Sequence, residues 1–250
     1  MKVEPSNIYC CDCLAGVNLL LDNSINLVIT SPPYNLGNTA KKKKIIYNSY
    51  KDNKEFPEYI EWLKNIFTAL YPKMTDDGRI CINIGDQQNG LIPTNVFISR
   101  FMLEIGYNPF TTIIWNKSQV SNRTSWGSWL SPSCPSFPTP FEYILVFFKN
   151  SRKLIHKGES DLTREEFITN SLALWNFPPE TRMKTFGHPA MFPEELPRRL
   201  IKMFSYKGDV VLDPFCGIGT TLKVAKDLER KYIGFEIDEM YCEKARERIK

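Results

Sequence analysis

Val210-Val211-Leu212-Asp213-Pro214-Phe215-Cys216-Gly217-Ile218-Gly219-Thr220-Thr221 runs from an apolar stretch of strand length, through a Gly-x-Gly turn, into a helical pattern over 222–230. Glycines let a turn bring its backbone close to a ligand, and the amino end of a helix offers N–H groups with no partner inside the helix. The next apolar run, Lys231-Tyr232-Ile233-Gly234-Phe235, ends in Glu236, nineteen residues after Gly217. An acid at that spacing stands at the end of the following strand, where it accepts from both hydroxyls of a ribose. The dinucleotide pattern has a third glycine; this chain has Thr220-Thr221 after Gly219. The turn therefore reads as a site for a nucleoside cofactor without a pyrophosphate, in a sheet built of strand–helix–strand units.

A second turn stands near the amino end. The apolar run Ile25-Asn26-Leu27-Val28-Ile29 leads directly into Thr30-Ser31-Pro32-Pro33-Tyr34-Asn35. A Pro-Pro pair neither donates to a ladder nor continues a helix, so the strand stops there and the turn lies at its carboxyl end. In open α/β sheets that edge is where ligands bind. The Ser31 hydroxyl and the Pro32 carbonyl suit the two hydrogens of one NH2 group, and Tyr34 adds a flat face. A planar base with an exocyclic amine fits these groups. An ordinary strand-ending turn explains the same residues if they are taken alone.

Taken together, the two stretches resemble the S-adenosylmethionine-dependent DNA amino-methyltransferases, in which Thr30-Ser31-Pro32-Pro33-Tyr34 is the catalytic motif and the stretch from Asp213 to Thr221 the cofactor motif. Catalytic motif first and cofactor motif last is similar to the permuted beta class of bacterial restriction-modification systems, with target recognition between them. A motif beginning with Ser31 is similar to the N4-cytosine members, although Ser-type motifs also occur on adenine enzymes. The resemblance implies a Rossmann-like α/β methyltransferase fold, with a mostly parallel seven-stranded sheet, helices on both faces and circularly permuted motifs. It implies S-adenosyl-L-methionine as cofactor and site-specific transfer of its methyl group to the N4 of a flipped cytosine.

Ser31, Pro32, Pro33 and Tyr34 are then the catalytic candidates. Cofactor candidates are Asp12 and Cys13 after the first strand, Ala190 and Phe192 in Gly187-His188-Pro189-Ala190-Met191-Phe192-Pro193, and Asp213, Phe215, Gly217, Gly219, Thr220, Thr221 and Glu236. Asp12 reads equally as a helix cap. Double-stranded DNA is the implied partner, with a cognate restriction endonuclease or a second copy of the chain as further candidates. Three rivals stand beside this reading: the same enzyme acting on adenine N6, an RNA methyltransferase, and a non-catalytic nucleic-acid-binding protein that kept the fold.

Composition bounds the reading. At 250 residues the chain can bury a sizeable core, and one domain over 1–250 with an inserted loop and target-recognition region over 118–185 is the economical division. Hydrophobic residues make up 42% and charged residues 24%, ordinary values for a soluble globular protein. The 32 Lys and Arg against 28 Asp and Glu leave a net charge of +4, which permits a basic face without demonstrating one. The longest apolar stretches have strand length and Met1-Lys2-Val3-Glu4 begins no secretory signal, so a cytoplasmic protein without a membrane contact is expected.

Seven cysteines and only two histidines, His156 and His188, lack the paired spacing of a zinc site, so no metal is expected. Thiolate attack on a base needs a Pro-Cys pair in the related C5-cytosine enzymes. Here the order is Cys134-Pro135.

Between the motifs, periodicity predicts helices over 57–74 and 94–104 and strands over 79–86, 110–117 and 141–148. Two stretches are candidate DNA contacts. Lys41-Lys42-Lys43-Lys44 lies in a polar segment beside the catalytic turn and reads as a solvated loop that also suits phosphates. Residues 118–140 have no periodicity and carry Arg123, Trp126 and Trp129, which either stack on bases or anchor the loop to the core. Residues 149–185 break the strand–helix rhythm and are locally basic.

Overall fold

In the computed structural model, which describes residues 3–35, 53–117, 127–181 and 191–250, the strands are β1 (Asn7–Cys10), β2 (Ile25–Thr30), β3 (Met74–Ile84), β4 (Asn108–Asn116), β5 (Phe141–Phe148), β6 (Leu174–Asn176), β7 (Val210–Asp213) and β8 (Lys231–Glu236). The helices are α1 (Cys13–Asn18), α2 (Phe56–Leu70), α3 (Thr94–Ile105), α4 (Arg164–Asn170), α5 (Glu195–Phe204), α6 (Thr220–Asp227) and α7 (Glu239–Ile249). All the strands join one sheet in the order β1-β8-β7-β2-β3-β5-β4-β6. Only the pairings of β5 with β3 and with β4 are antiparallel, so β5 alone runs against the others.

Both faces of the sheet are covered, which is why its central strands read as continuous apolar runs rather than as alternating ones. Val28, Ile80 and Ile82 pack under Val17 of α1, Leu63 and Phe67 of α2, and Ile98 of α3. Leu27, Ile29 and Cys81 point the other way, against Leu196 and Leu200 of α5 and Val224 and Ala225 of α6. Ile8, Leu222, Ala245 and Ile249 continue that second layer to α7. Among the described residues no helix is long and apolar enough to cross a membrane.

Three expectations are corrected. Among the described residues the sheet has eight strands rather than seven, because β6 adds an edge strand parallel to β4, with Trp115 opposite Trp175. Three residues are too few to show a period, and Trp175, 1% exposed, is the side chain that holds the strand down. Helix α2 ends at Leu70 and a 3₁₀ turn over Tyr71–Lys73 leads straight into β3 at Met74, five residues before the expected start at Arg79. Thr75-Asp76-Asp77-Gly78 has turn composition and forms an irregularity within the strand: the register with β2 jumps from Ile25–Met74 to Leu27–Arg79, and a Cβ on Gly78 would lie 2.9 Å from the Thr75 carbonyl oxygen, so glycine is what lets the backbone bend there before the ladder resumes.

Residues 149–161, expected within the recognition region, lie across the amino-terminal edge of the sheet, opposite the end where β2 and β7 finish. Their anchors are ionic. The His156 ring sits between Asp77, at 2.9 Å, and Asp209, at 3.0 Å. Asp161 takes a two-pronged contact from the buried Arg230 guanidinium, at 2.7 and 2.8 Å. Burial lowers the His156 value, but the Asp77 hydrogen bond and the Asp209 and Asp77 charges outweigh it, so the ring titrates above its ordinary range. Burial likewise opposes ionisation of Asp77, yet hydrogen bonds from His156, Ile155 and Thr75 bring it down to about 2.

Candidate active site

The topology makes neighbours of two strands that are far apart in sequence. β2 pairs in parallel with β7, Leu27 opposite Val211 and Val28 opposite Leu212. Their carboxyl ends are tied directly: the Thr30 hydroxyl donates to Asp213 Oδ1 at 2.9 Å, across 183 residues of chain. Thr221 donates to the other oxygen at 2.7 Å, and the Phe215 N–H to Oδ1 at 3.1 Å. Burial pushes the Asp213 carboxyl up to about 6 against these three hydrogen bonds.

Asp213 lines the site, and both its oxygens hold the two turns together. Thr221 and Gly219, by contrast, do not line the pocket. Thr221 braces Asp213, and Gly219 takes φ 76°, with room for a Cβ only 3.1 Å from Ala245 of α7. Gly217, at φ 52°, does line it. Both glycines thus occupy the left-handed conformation that the turn requires.

At the end of β8, Glu236 accepts the Gly217 N–H on Oε2 and the Asp238 N–H on Oε1, each at 2.9 Å. Two backbone bonds fix the carboxylate and leave lone pairs facing the pocket. Burial raises its pKa, against the two N–H groups. Asp12 caps α1 with Oδ1 through the N–H groups of Leu14 and Ala15, at 3.0 and 3.1 Å, and also lines the pocket. Cys13 lines it too. Burial, followed by the Asp12 charge, pushes that thiol up to about 12, and burial also raises Cys81 and Cys216. Burial thus disfavours the thiolate form of all three.

One pocket of about 380 Å³ runs from Glu236 past Phe215 to the turn Ser31–Tyr34, with Trp62, Trp115, Met191 and Phe192 on its walls. Its size and mixed apolar lining suit one nucleoside-sized ligand together with a base. Ser31, Pro32, Pro33 and Tyr34 all line it, as do Thr220 and Phe215.

Behind the Ser31–Tyr34 turn stands a polar group that the sequence reading did not single out. Glu142, second residue of β5, and Asn83, near the end of β3, are 9% and 2% exposed. Asn83 Nδ2 donates to Glu142 Oε2 at 2.8 Å and to the Tyr34 oxygen at 3.0 Å. Tyr34 donates to Glu142 Oε2 at 3.1 Å, and Ser31 donates to Tyr34 at 3.1 Å. Lys117, at the pocket wall, forms an ion pair with Glu142 Oε1 and lies over the Trp115 ring at 5.3 Å. Burial, then the Glu142 charge, raises the Tyr34 phenol well above its ordinary value, so it keeps its proton. The available signal was a lone polar residue inside an apolar run: Asn83 within Ile80–Ile84 and Glu142 within Phe141–Phe148. Asp86, two residues beyond the end of β3, holds Asn95 of α3.

Trp129 is 67% exposed and stands away from the pocket. Lys41, Lys42, Lys43, Lys44, Arg123, Trp126 and Ala190 lie outside the described residues.

With this geometry in hand, comparison with known proteins is specific. Residues 25–247 match a family model of N6/N4 methyltransferases, described as DNA methylase. The chain is 41% identical over 165 residues to Type II methyltransferase M.MjaVI of Methanocaldococcus jannaschii, covering 65% of this chain and 81% of the relative. It is 34% identical over 249 residues to Type II methyltransferase M.MjaI of the same organism, covering 87% and 82%. Among solved structures it is similar to a DNA modification methylase of Thermus thermophilus, so assigned and complexed with S-adenosyl-L-methionine. The TM-score is 0.75 at 27% identity, over 97% of this chain and 92% of that one.

Proposed function

The chain belongs to the N6/N4 family of DNA methylases, and from that premise we propose that it methylates the exocyclic N4 of a cytosine in duplex DNA, with S-adenosyl-L-methionine as the methyl donor. The observation that carries this reading is the shared pocket in which the Ser31–Tyr34 turn meets the Gly217 turn and Glu236. The residues fit the donor. Glu236, pinned by two N–H groups, keeps lone pairs for ribose hydroxyls, and Phe215 and Phe192 give the apolar walls a purine needs. When bound, S-adenosyl-L-methionine supplies a methyl group on a positively charged sulfur, and the electrons of the broken C–S bond stay on that sulfur.

The chain's own residues prepare the amine. An exocyclic amine conjugated to its ring is a poor nucleophile. Acceptance of its two hydrogens by the Ser31 hydroxyl and the Pro32 carbonyl localises the nitrogen lone pair and aims it, and Tyr34 holds the ring by stacking. Once the N–C bond has formed, the nitrogen sheds one proton to water, so the site needs no histidine base. A stacked base cannot reach this pocket, so the target leaves the duplex.

Two features favour cytosine over adenine: the Ser-first turn, and the Lys117 ammonium on the pocket wall, which suits a ring carbonyl that cytosine has and adenine lacks. Adenine N6 is the alternative, because the same turn holds either amine. We assign DNA contacts to Lys41–Lys44 and to Arg123, Trp126 and Trp129 of the inserted loop, with target recognition in the parts of 118–185 outside the pinned 149–161 stretch.

The test is methyl transfer from labelled S-adenosyl-L-methionine to duplex DNA. Ser31→Ala and Tyr34→Ala each lower kcat by at least about tenfold and leave donor affinity nearly unchanged; near-normal methylation by both would sink the assignment.

A further inference from the structure

The hydrogen-bond network beneath the catalytic turn has a direction. Glu142, paired with Lys117, is an ionised carboxylate and only accepts. The one phenol proton of Tyr34 therefore goes to Glu142 Oε2, at 3.1 Å. That leaves two lone pairs on the Tyr34 oxygen, and both are taken: Asn83 Nδ2 donates at 3.0 Å and Ser31 Oγ at 3.1 Å. Ser31 has a single proton, which is thereby committed to Tyr34. Its oxygen then presents only lone pairs to the pocket.

We propose that Glu142 is a positioning residue which, acting through Tyr34, locks the Ser31 hydroxyl as an acceptor for the target amine. The proposal rests on the reading that Ser31 binds that amine. A serine hydroxyl that rotates freely offers its proton to the pocket as readily as its lone pairs, and a proton aimed at an NH2 group repels it. Fixing the orientation before the base arrives removes that reorganisation from the reaction. Lys117 sets the polarity of the far end, because it holds Oε1 of Glu142 and so keeps Oε2 turned to Tyr34 and Asn83.

Glu142→Gln tests this. With Lys117 holding its oxygen, the new amide turns its NH2 group toward Tyr34 and Asn83, and the Ser31 proton is no longer held to one side. In the wild-type background, E142Q is expected to lower kcat by about tenfold or more, with KM for S-adenosyl-L-methionine within about twofold of wild type. Tyr34→Phe cuts the relay while keeping a stacking ring. In that background E142Q is expected to change kcat by less than about twofold, the non-additivity of residues acting as one unit.

Equal fold losses in both backgrounds would overturn the proposal, as would a wild-type kcat for E142Q. Melting temperature and donor affinity report whether each variant folds. If E142Q does not, Glu142→Asp in the same two backgrounds decides, since its shorter side chain loosens the contact to Tyr34. A loss confined to the Tyr34 enzyme supports the proposal, and equal losses overturn it. A wild-type protein that binds the donor and methylates no base overturns the Ser31 reading as well, whereas multiplicative losses in an active enzyme overturn this proposal alone.

Discussion

Asp213, buried, and Glu236, half-buried, are carboxylates at the ends of neighbouring strands, and their hydrogen bonds give them different work. Both oxygens of Asp213 are occupied by Thr30, Thr221 and the Phe215 N–H, whereas each oxygen of Glu236 accepts one backbone N–H and keeps a lone pair. Glu236→Ala is therefore expected to weaken S-adenosyl-L-methionine binding by about tenfold to a hundredfold, one charge-assisted hydrogen bond, as read by calorimetry. Asp213→Asn instead is expected to lower stability by about 1–3 kcal/mol, since two hydroxyl donors lose a charged acceptor, with a smaller effect on donor affinity. At this scale the sequence showed the groups but not their partners. Gly217, Gly219, Glu236, Ser31 and Tyr34 could be named from local pattern, because each acts where its own turn puts it. Glu142 and Asn83 could not, because their meaning comes from β3 and β5 lying side by side under Tyr34.

Among the elements, legibility followed length and burial. β2, β5, β7 and β8 are apolar runs because both faces of the sheet are covered, and α2 shows its face through Tyr59, Leu63, Phe67 and Leu70. β6 has three residues, and its place is set by Trp175 packing rather than by period. Helix α4 did carry a local signal, the capping box of Thr163 and Glu166, inside a stretch whose basic composition drew attention instead. The 149–161 connection is held at the amino-terminal edge by His156 between Asp77 and Asp209, a contact no linear pattern reveals. This clamp makes a pH prediction. The folded-state value of His156 is raised, so its contribution is full below the unfolded value of about 6.5 and is lost as pH rises through the higher folded value. His156→Gln is thus expected to lower Tm by roughly 2–4 °C near pH 6, with the gap to wild type narrowing by pH 9. Thermal melts across that range check it, and a gap that widens with pH would contradict the clamp.

For the molecule as a whole, the chain order is the feature that joins fold to function. The Ser31–Tyr34 turn and the Gly217 turn, to which we assign catalysis and cofactor binding, stand near opposite ends of the chain, and the pairing of β2 with β7 closes the distance so that both line one pocket. That pairing follows from a doubly covered, mostly parallel sheet, in which the ends of central strands converge on one edge whatever their order in the chain. The family match over residues 25–247 agrees with this architecture and leaves the base to be decided by the pocket. The measurement that decides it is nucleoside analysis of duplex DNA methylated by the purified protein with labelled S-adenosyl-L-methionine. Label in N4-methylcytosine is the expected result. Label in N6-methyladenine alone would contradict the assignment of the Ser31 turn and Lys117 to cytosine.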